Sequence, residues 1–206
     1  MRIEVIDLQI NNLTSVMTAI GKVKSDKDFC VSVGSSGSSM NPDLIILPGL
    51  GHFSTGMRIL RESHLDNLLV TECARGTKIV GICLGMQLLC RESSEGPGIP
   101  GLGLVNGKVL ELAPGDPIPN IGWGEVESIQ LEHDFPSIDS ERDFYFVHSY
   151  CVELKNQSEI LTQTKFSGQD FVSSYKSNNV IGFQFHPEKS GKVGEELLAE
   201  IIEWAR

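Results

Sequence analysis

Two short stretches carry residue types that could run nucleophilic chemistry. The first is KIVGICLGMQLLC, residues 78–90, where Cys83 stands between Gly81 and Gly85, after an apolar run and ahead of an apolar helical segment. A strand that turns sharply into a helix holds its turn residue in a strained conformation. Strand and helix then pass so closely that only small residues fit two positions to either side. The N–H groups and dipole at the start of the following helix, LGMQLL, favour a thiolate at that point. Gly-x-Cys-x-Gly also fits a small buried side chain, so a reactive thiol needs a base elsewhere in the chain.

The second stretch is GFQFHPEKS, residues 182–190, which offers that base. His186 ends an apolar strand and is followed by Pro187 and Glu188. Residues i and i+2 on an extended segment project to the same side, so Glu188 is expected to reach the back of the His186 ring, hold its tautomer and stabilise the imidazolium. Pro187 disfavours a helical conformation for His186. The plainer alternative is a strand-end histidine next to a surface glutamate. Of the other four histidines, His64 and His133 sit in polar surroundings and read as solvated. His148, in YFVHSY, reads as core or pocket-lining, and His52 follows a Pro-Gly loop near the site without acting as base.

Seventeen Lys and Arg against 27 Asp and Glu give a formal charge of −10, which argues against nucleic acid or an anionic membrane as partner. No apolar run approaches the roughly 18 residues of a membrane span, and MRIEVIDLQI is too short and acidic for a signal peptide. Five cysteines at irregular spacing do not read as a disulfide framework, and no Cys-x-x-Cys pair points to zinc. Cys30, Cys73, Cys90 and Cys151 read as small hydrophobes. A reducing cytoplasm fits this usage, and 206 residues fit a single domain spanning 1–206.

These residues need elements to position them. RIEVID (2–7) and FCVSV (29–33) read as strands around a helix over LTSVMTAIGKV, which Asn11 or Asn12 can cap, with Leu13, Val16, Met17 and Ile20 on one face. DLIILPG (43–49) and KIVGI (78–82) are apolar enough for buried parallel strands, with helical spacing over 54–75 between them. The second half is β-rich: GLGLVNGKVLEL, WGEVESIQL, DFYFVHSYCVEL, EILTQT and FVSSYK are short segments bounded by turn residues, so antiparallel strands are expected. NNVIGFQFH (178–186) reads as a strand, and KVGEELLAEIIEWAR as a closing amphipathic helix. The expected fold is α/β, a three-layer sandwich around a mostly parallel sheet with an antiparallel extension.

GICLGMQLL and GFQFHPEKS together resemble the class I (triad) glutamine amidotransferases, whose fold is flavodoxin-like. The resemblance implies that Cys83 attacks the side-chain amide of glutamine, with His186 as base and then acid and Glu188 as the orienting carboxylate. LPGLGHF (47–53) resembles the family's oxyanion segment, which implies that the backbone N–H groups of Leu50 and Leu84 hold the tetrahedral oxyanion. Gly51, Gln87, Glu95, His148, Ser149 and Tyr150 match positions that line the glutamine pocket, with Glu95 facing the substrate's α-amino group. No metal or organic cofactor is implied, because the thiol carries the covalent chemistry itself.

Within the class, the resemblance is nearest to the glutaminase subunits of imidazole glycerol phosphate synthases. It runs through LPGLGHFSTGM, GLGLVNGKV, IGW and YFVHSY. It implies a (β/α)₈ cyclase subunit as heteromeric partner that receives the ammonia, with Asn12, Pro119, Ile121, Trp123 and Lys189 on the facing surface. Two stretches depart from the pattern. DLQINNLTS lacks the usual glycines, and Asn120 and Gly124 stand where His and Asn are common. Both lie on the partner side, so a related amidotransferase feeding a nucleotide-sugar synthase is the runner-up. A cysteine peptidase or esterase on the same elbow, and a non-catalytic binding module, are the rivals from other classes.

Overall fold

The computed structural model describes residues 1–10, 13–23, 30–34, 41–112, 118–130, 134–139 and 142–206. Its first half alternates strand and helix: β1 (Arg2–Ile6), α1 (Leu13–Val23), β2 (Cys30–Gly34), β3 (Leu44–Gly49), α2 (Phe53–Glu62), α3 (Leu65–Arg75), β4 (Lys78–Cys83) and α4 (Leu84–Leu88). The second half is β5 (Glu92–Ser93), β6 (Gly107–Glu111), β7 (Asn120–Ser128), β8 (Arg142–His148), β9 (Tyr150–Leu154), β10 (Ile160–Phe166), β11 (Gln169–Ser177), β12 (Val180–Phe183) and α5 (Gly191–Trp204).

The described strands form one sheet. Its parallel part runs β2-β1-β3-β4-β12, and it continues antiparallel through β11, β10, β7 and β8, with β9 and β6 branching from β11. Side chains alternate across this sheet as the pleat requires. Ile3, Val5, Leu44, Ile46, Val80 and Ile82 pack with Val16 and Ile20 of α1 and with Leu197, Leu198 and Ile201 of α5. Ile6, Ile45, Leu47 and Ile79 pack on the other face with Phe53, Met57 and Leu60 of α2, Leu65 and Leu69 of α3, and Leu84 and Leu88 of α4. This is the expected three-layer arrangement. Among the described helices none is long and apolar enough to cross a membrane.

Several boundaries differ from the sequence expectation, each for a physical reason. The single helical pattern over 54–75 is two helices, broken where His64 takes a left-handed conformation (φ 58°) and the Ser63 hydroxyl donates back to the Ile59 carbonyl at 2.6 Å. The apolar spacing itself slips there, from Leu60 to Leu65, one residue more than a helical turn allows. DFYFVHSYCVEL splits at Ser149, with β8 pairing to β7 and β9 to β6. GLGLV, before β6, is not strand but a cap on α4: the Leu102 and Val105 N–H groups donate to the Leu88 and Leu89 carbonyls at 2.9 and 3.0 Å. The expected caps Asn11 and Asn12 lie outside the described residues, as does His133.

Glu4 interrupts the apolar run of β1 and is only 2% exposed. Burial, and then the charge of Glu72, push its carboxyl above the usual range. Glu72 is buried too, but it accepts from Thr77 Oγ1 and Arg75 Nη1, both at 2.7 Å.

α4 packs directly against the backbone of β3. A Cβ on Gly85 would lie 1.7 Å from the Leu47 carbonyl oxygen, whereas a Cβ on Gly21, on the exposed side of α1, would meet nothing within 4 Å. Gly85→Ala is therefore expected to destabilise the chain by about 3 kcal/mol or more, or to stop it folding. Gly21→Ala should stabilise it by about 0.5–1 kcal/mol. Urea denaturation of both variants checks the contrast, and equal midpoints would show that α4 does not sit where described.

Candidate active site

Cys83 is the last residue of β4 and immediately precedes α4, with φ 53° and ψ −111°. A non-glycine residue reaches that conformation only under constraint. Here the constraint is α4 folding straight back over the sheet. Gly81 lies under the same helix: a Cβ there would meet the Met86 backbone nitrogen at 2.6 Å. The expected turn with small residues on either side is therefore present. α4 is short, at five residues, so any dipole it offers the sulfur is that of little more than one turn.

His186 arrives beside Cys83 through sheet register. β12 pairs in parallel with β4, Gly182 opposite Gly81 and Phe183 opposite Ile82. The sheet ladder stops at Phe183, three residues short of the expected strand end, and the chain bends at Gln184, whose N–H still donates to the Ser173 carbonyl at 2.8 Å. His186 Nδ1 lies 2.7 Å from Glu188 Oε1, with both side chains 5% exposed. The pairing is the expected one but its geometry is not. Pro187–Lys189 is a 3₁₀ turn, so Glu188 reaches the ring by folding back rather than along a strand. With Nδ1–H given to Glu188, the ring presents Nε2, which is buried and has no hydrogen-bond partner among the described residues. Burial disfavours the imidazolium, but the Cys83 sulfur and the Glu188 carboxylate next to the ring outweigh it and push His186 upward.

On the other side of the sulfur is a cavity of about 360 Å³. Leu50, Gly51, Cys83, Leu84, Gln87, Glu95, His148, Ser149 and Tyr150 all line it, as does Pro119, which the sequence reading had placed on the partner face. Gly49 pairs with Cys83 across β3 and β4, which brings Leu50 and Gly51 next to the elbow. Glu95 is anchored by the Phe53 N–H at 2.7 Å, and its other oxygen stands 3.9 Å from His52 Nε2. It thus supplies a fixed carboxylate suited to an ammonium group. The hydrogens of Gln87 Nε2 go to the Tyr150 carbonyl at 2.9 Å and to Gln184 Oε1 at 3.0 Å, so Gln87 presents the cavity with its acceptor oxygen.

His148 is no alternative base. Its Nδ1 lies 2.9 Å from the Tyr150 carbonyl, an acceptor only, and its Nε2 lies 3.1 Å from the Asn120 amide nitrogen. Both ring nitrogens are engaged in one neutral tautomer, and burial takes the imidazole down to about 4. His52 caps α2, its Nδ1 3.3 Å from the Ser54 N–H. Cys90 is fully buried, and burial pushes its thiol up to about 12.

β7, which follows the cavity-lining Pro119, turns Ile121 and Trp123 outward, 60% and 59% exposed. Trp123 meets Tyr145 edge-on at 6.0 Å, and Lys189 Nζ lies 5.8 Å over the same tyrosine ring. Asn12 is outside the described residues. Two lining or contacting residues were absent from the sequence reading. Val147 has its carbonyl 3.7 Å from Cys83 Sγ, and Gln184 has its Nε2 at the same distance. A glutamine inside the otherwise apolar run VIGFQF was the available signal for the second.

The Glutamine amidotransferase class-I family model matches residues 5–203. The HisH subunit of imidazole glycerol phosphate synthase from Thermotoga maritima is 36% identical over 204 residues, covering 98% of this chain and 97% of its own length. The corresponding subunit from Aquifex aeolicus is 40% identical over 204 residues, covering 96% and 94%. Among solved structures, PurLQS from Thermotoga maritima aligns with a TM-score of 0.76 at 20% identity, over 100% of this chain and 99% of that one, a likeness of fold alone. On a family match over nearly its whole length and on these relatives, the chain belongs to the class-I glutamine amidotransferases.

Proposed function

We propose that this chain, as one domain, is the glutaminase subunit of an imidazole glycerol phosphate synthase, releasing ammonia from glutamine for a (β/α)₈ cyclase subunit in histidine biosynthesis. Full-length likeness to HisH subunits supports the pathway. The observation that carries the chemistry is the strained Cys83 next to a His186 whose far nitrogen is held by Glu188. His186 Nε2 takes the thiol proton as Sγ attacks the side-chain amide carbon of glutamine. The same proton goes to the leaving nitrogen, ammonia departs, and a thioester remains. Water, giving its proton to the ring, then opens the thioester to glutamate and restores the thiol.

Backbone N–H groups of Leu50 and Leu84 hold the oxyanion in both steps. Glu95 takes the α-ammonium and Gln87 Oε1 accepts from a substrate N–H, while Gly51 and the 148–150 segment close the cavity around the small substrate. The compartment we assign is a reducing cytoplasm, where the thiols of Cys73, Cys83, Cys90 and Cys151 stay free.

Cys83→Ala is expected to abolish glutamine-dependent synthesis by the complex and to leave synthesis from added ammonium intact. Glu188→Gln should keep the fold and lower glutaminase turnover at least tenfold, by roughly the logic of a lost orienting charge. Steady-state assays with each nitrogen source check both, and parental glutamine use by the Cys83 variant would end the proposal.

The partner sits over Ile121, Trp123, Pro119 and Lys189, because exposed Ile121 and Trp123 form an apolar patch next to Pro119 and tryptophan is enriched among interface anchors. Trp123→Ala should weaken assembly with the cyclase by at least about tenfold, read by titration calorimetry. Unchanged affinity would move the interface elsewhere. Assembly with a nucleotide-sugar synthase instead would change the pathway but not the chemistry.

A further inference from the structure

We propose that Gln184 is a further group acting on the nucleophile: its side-chain N–H donates to the Cys83 sulfur and stabilises it as the thiolate. The inference rests on Cys83 being the nucleophile of the reaction above. Gln184 is 0% exposed, so its amide must find partners inside the protein. Its Nε2 lies 3.7 Å from Cys83 Sγ, within hydrogen-bond range for sulfur, and its Oε1 lies 3.0 Å from Gln87 Nε2.

Which end of that amide faces the sulfur is decided by a chain of one-way partners. The Tyr150 carbonyl can only accept, so the Gln87 nitrogen must point to it. The second hydrogen on that nitrogen then needs an acceptor, and Gln184 Oε1 is the atom in place. The Gln184 nitrogen is left on the sulfur side. Turned the other way, the amide would set oxygen against thiolate and nitrogen against nitrogen.

The sulfur's other neighbour works against ionisation. The Val147 carbonyl, 3.7 Å away, can accept from the neutral thiol and repels the thiolate. Cys83 is itself only 4% exposed, so water contributes little to solvating a charge there. His186 accepts the proton, but it does so as one charged neighbour on one side. Gln184 supplies a neutral donor that is already oriented when the proton leaves. Its position follows from the chain: Gln184 comes directly after Phe183, which pairs with Ile82, the residue before Cys83.

The test is the pH dependence of alkylation at Cys83 by iodoacetamide in the full chain, from pH 5 to 10. Fragment-level mass spectrometry separates Cys83 from the buried Cys90. Gln184→Met keeps the length and removes the donor. It is expected to move the midpoint of thiolate formation up by about one pH unit, the size of one hydrogen bond to a charged group. Gln184→Glu is isosteric and sets a carboxylate against the sulfur, so its midpoint should rise at least as far. A merely structural glutamine would leave the profile in place, and an unmoved midpoint in either folded variant overturns the proposal. Alkylation needs neither glutamine nor a partner. A parental chain that fails to hydrolyse glutamine with its cyclase would therefore sink the proposed function while leaving the result at Gln184 readable.

Discussion

The structure depends on one close packing constraint, the seating of α4 directly on the backbone of β3. Gly85 against the Leu47 carbonyl leaves no room for a side chain, and Cys83 is the residue that absorbs the resulting turn. A conformation of that kind costs on the order of 1–3 kcal/mol and persists only where its surroundings over-determine it. They do so here. β4 is held between β3 and β12 inside the parallel part of the sheet. The far end of α4 is tied down by N–H groups from residues 102 and 105. Relaxing the elbow would require lifting a helix whose Leu84 and Leu88 are built into the core.

From that seating follows a division of labour around the sulfur, with a cavity on one side and an imidazole on the other. Two buried histidines near it show how completely neighbours decide charge. His148 and His186 are similarly buried, yet the first is driven down to about 4 and the second is driven up. Burial acts on both in the same direction. His148 meets a carbonyl and a neutral amide, which hold a neutral tautomer. His186 meets the Glu188 carboxylate and the Cys83 sulfur, whose negative charges favour an imidazolium. One ring is therefore held neutral in the cavity wall and the other is biased toward holding a proton, although burial alone would not tell them apart.

How much of this was legible in the sequence depended on how local each relationship is. Cys83 between its glycines, and His186 two residues from Glu188, are contacts made within a few residues, so their spacing encodes them. The reason given for the second pair was still incorrect, because a proline-started 3₁₀ turn, not a strand, brings Glu188 to the ring. The helix break at Ser63–His64 was present in the apolar spacing as a one-residue slip. Gln184 is not legible locally because its partners, Gln87 and Cys83, lie about a hundred residues away and meet it only through the pairing of β12 with β4. The same holds for Glu4, whose neighbour Glu72 comes from α3. No local pattern marks such a pair, and β1 simply looks like a strand with a polar residue inside its apolar run. The branching of β9 and β6 from β11 is equally hidden, since strand order is a property of the whole sheet.

β7 shows why the cavity and the exposed apolar patch are bound together by more than proximity. Its side chains alternate, so Ile121 and Trp123 face outward while Asn120 faces inward to His148. Register against β8 sets both at once: Asn120 lies opposite His148 and Trp123 opposite Tyr145. A slip of one residue would turn the tryptophan inward and the asparagine out. His148 would then lose the donor on its Nε2, and with it the hold on the tautomer that points Nδ1–H at the Tyr150 carbonyl. That carbonyl is also where the orientation of Gln87, and through it Gln184, begins. The outer face of β7 and the amide directed at the sulfur are thus specified by one strand register. Any surface that packs on Ile121 and Trp123 reinforces the register on which the inner hydrogen bonds depend.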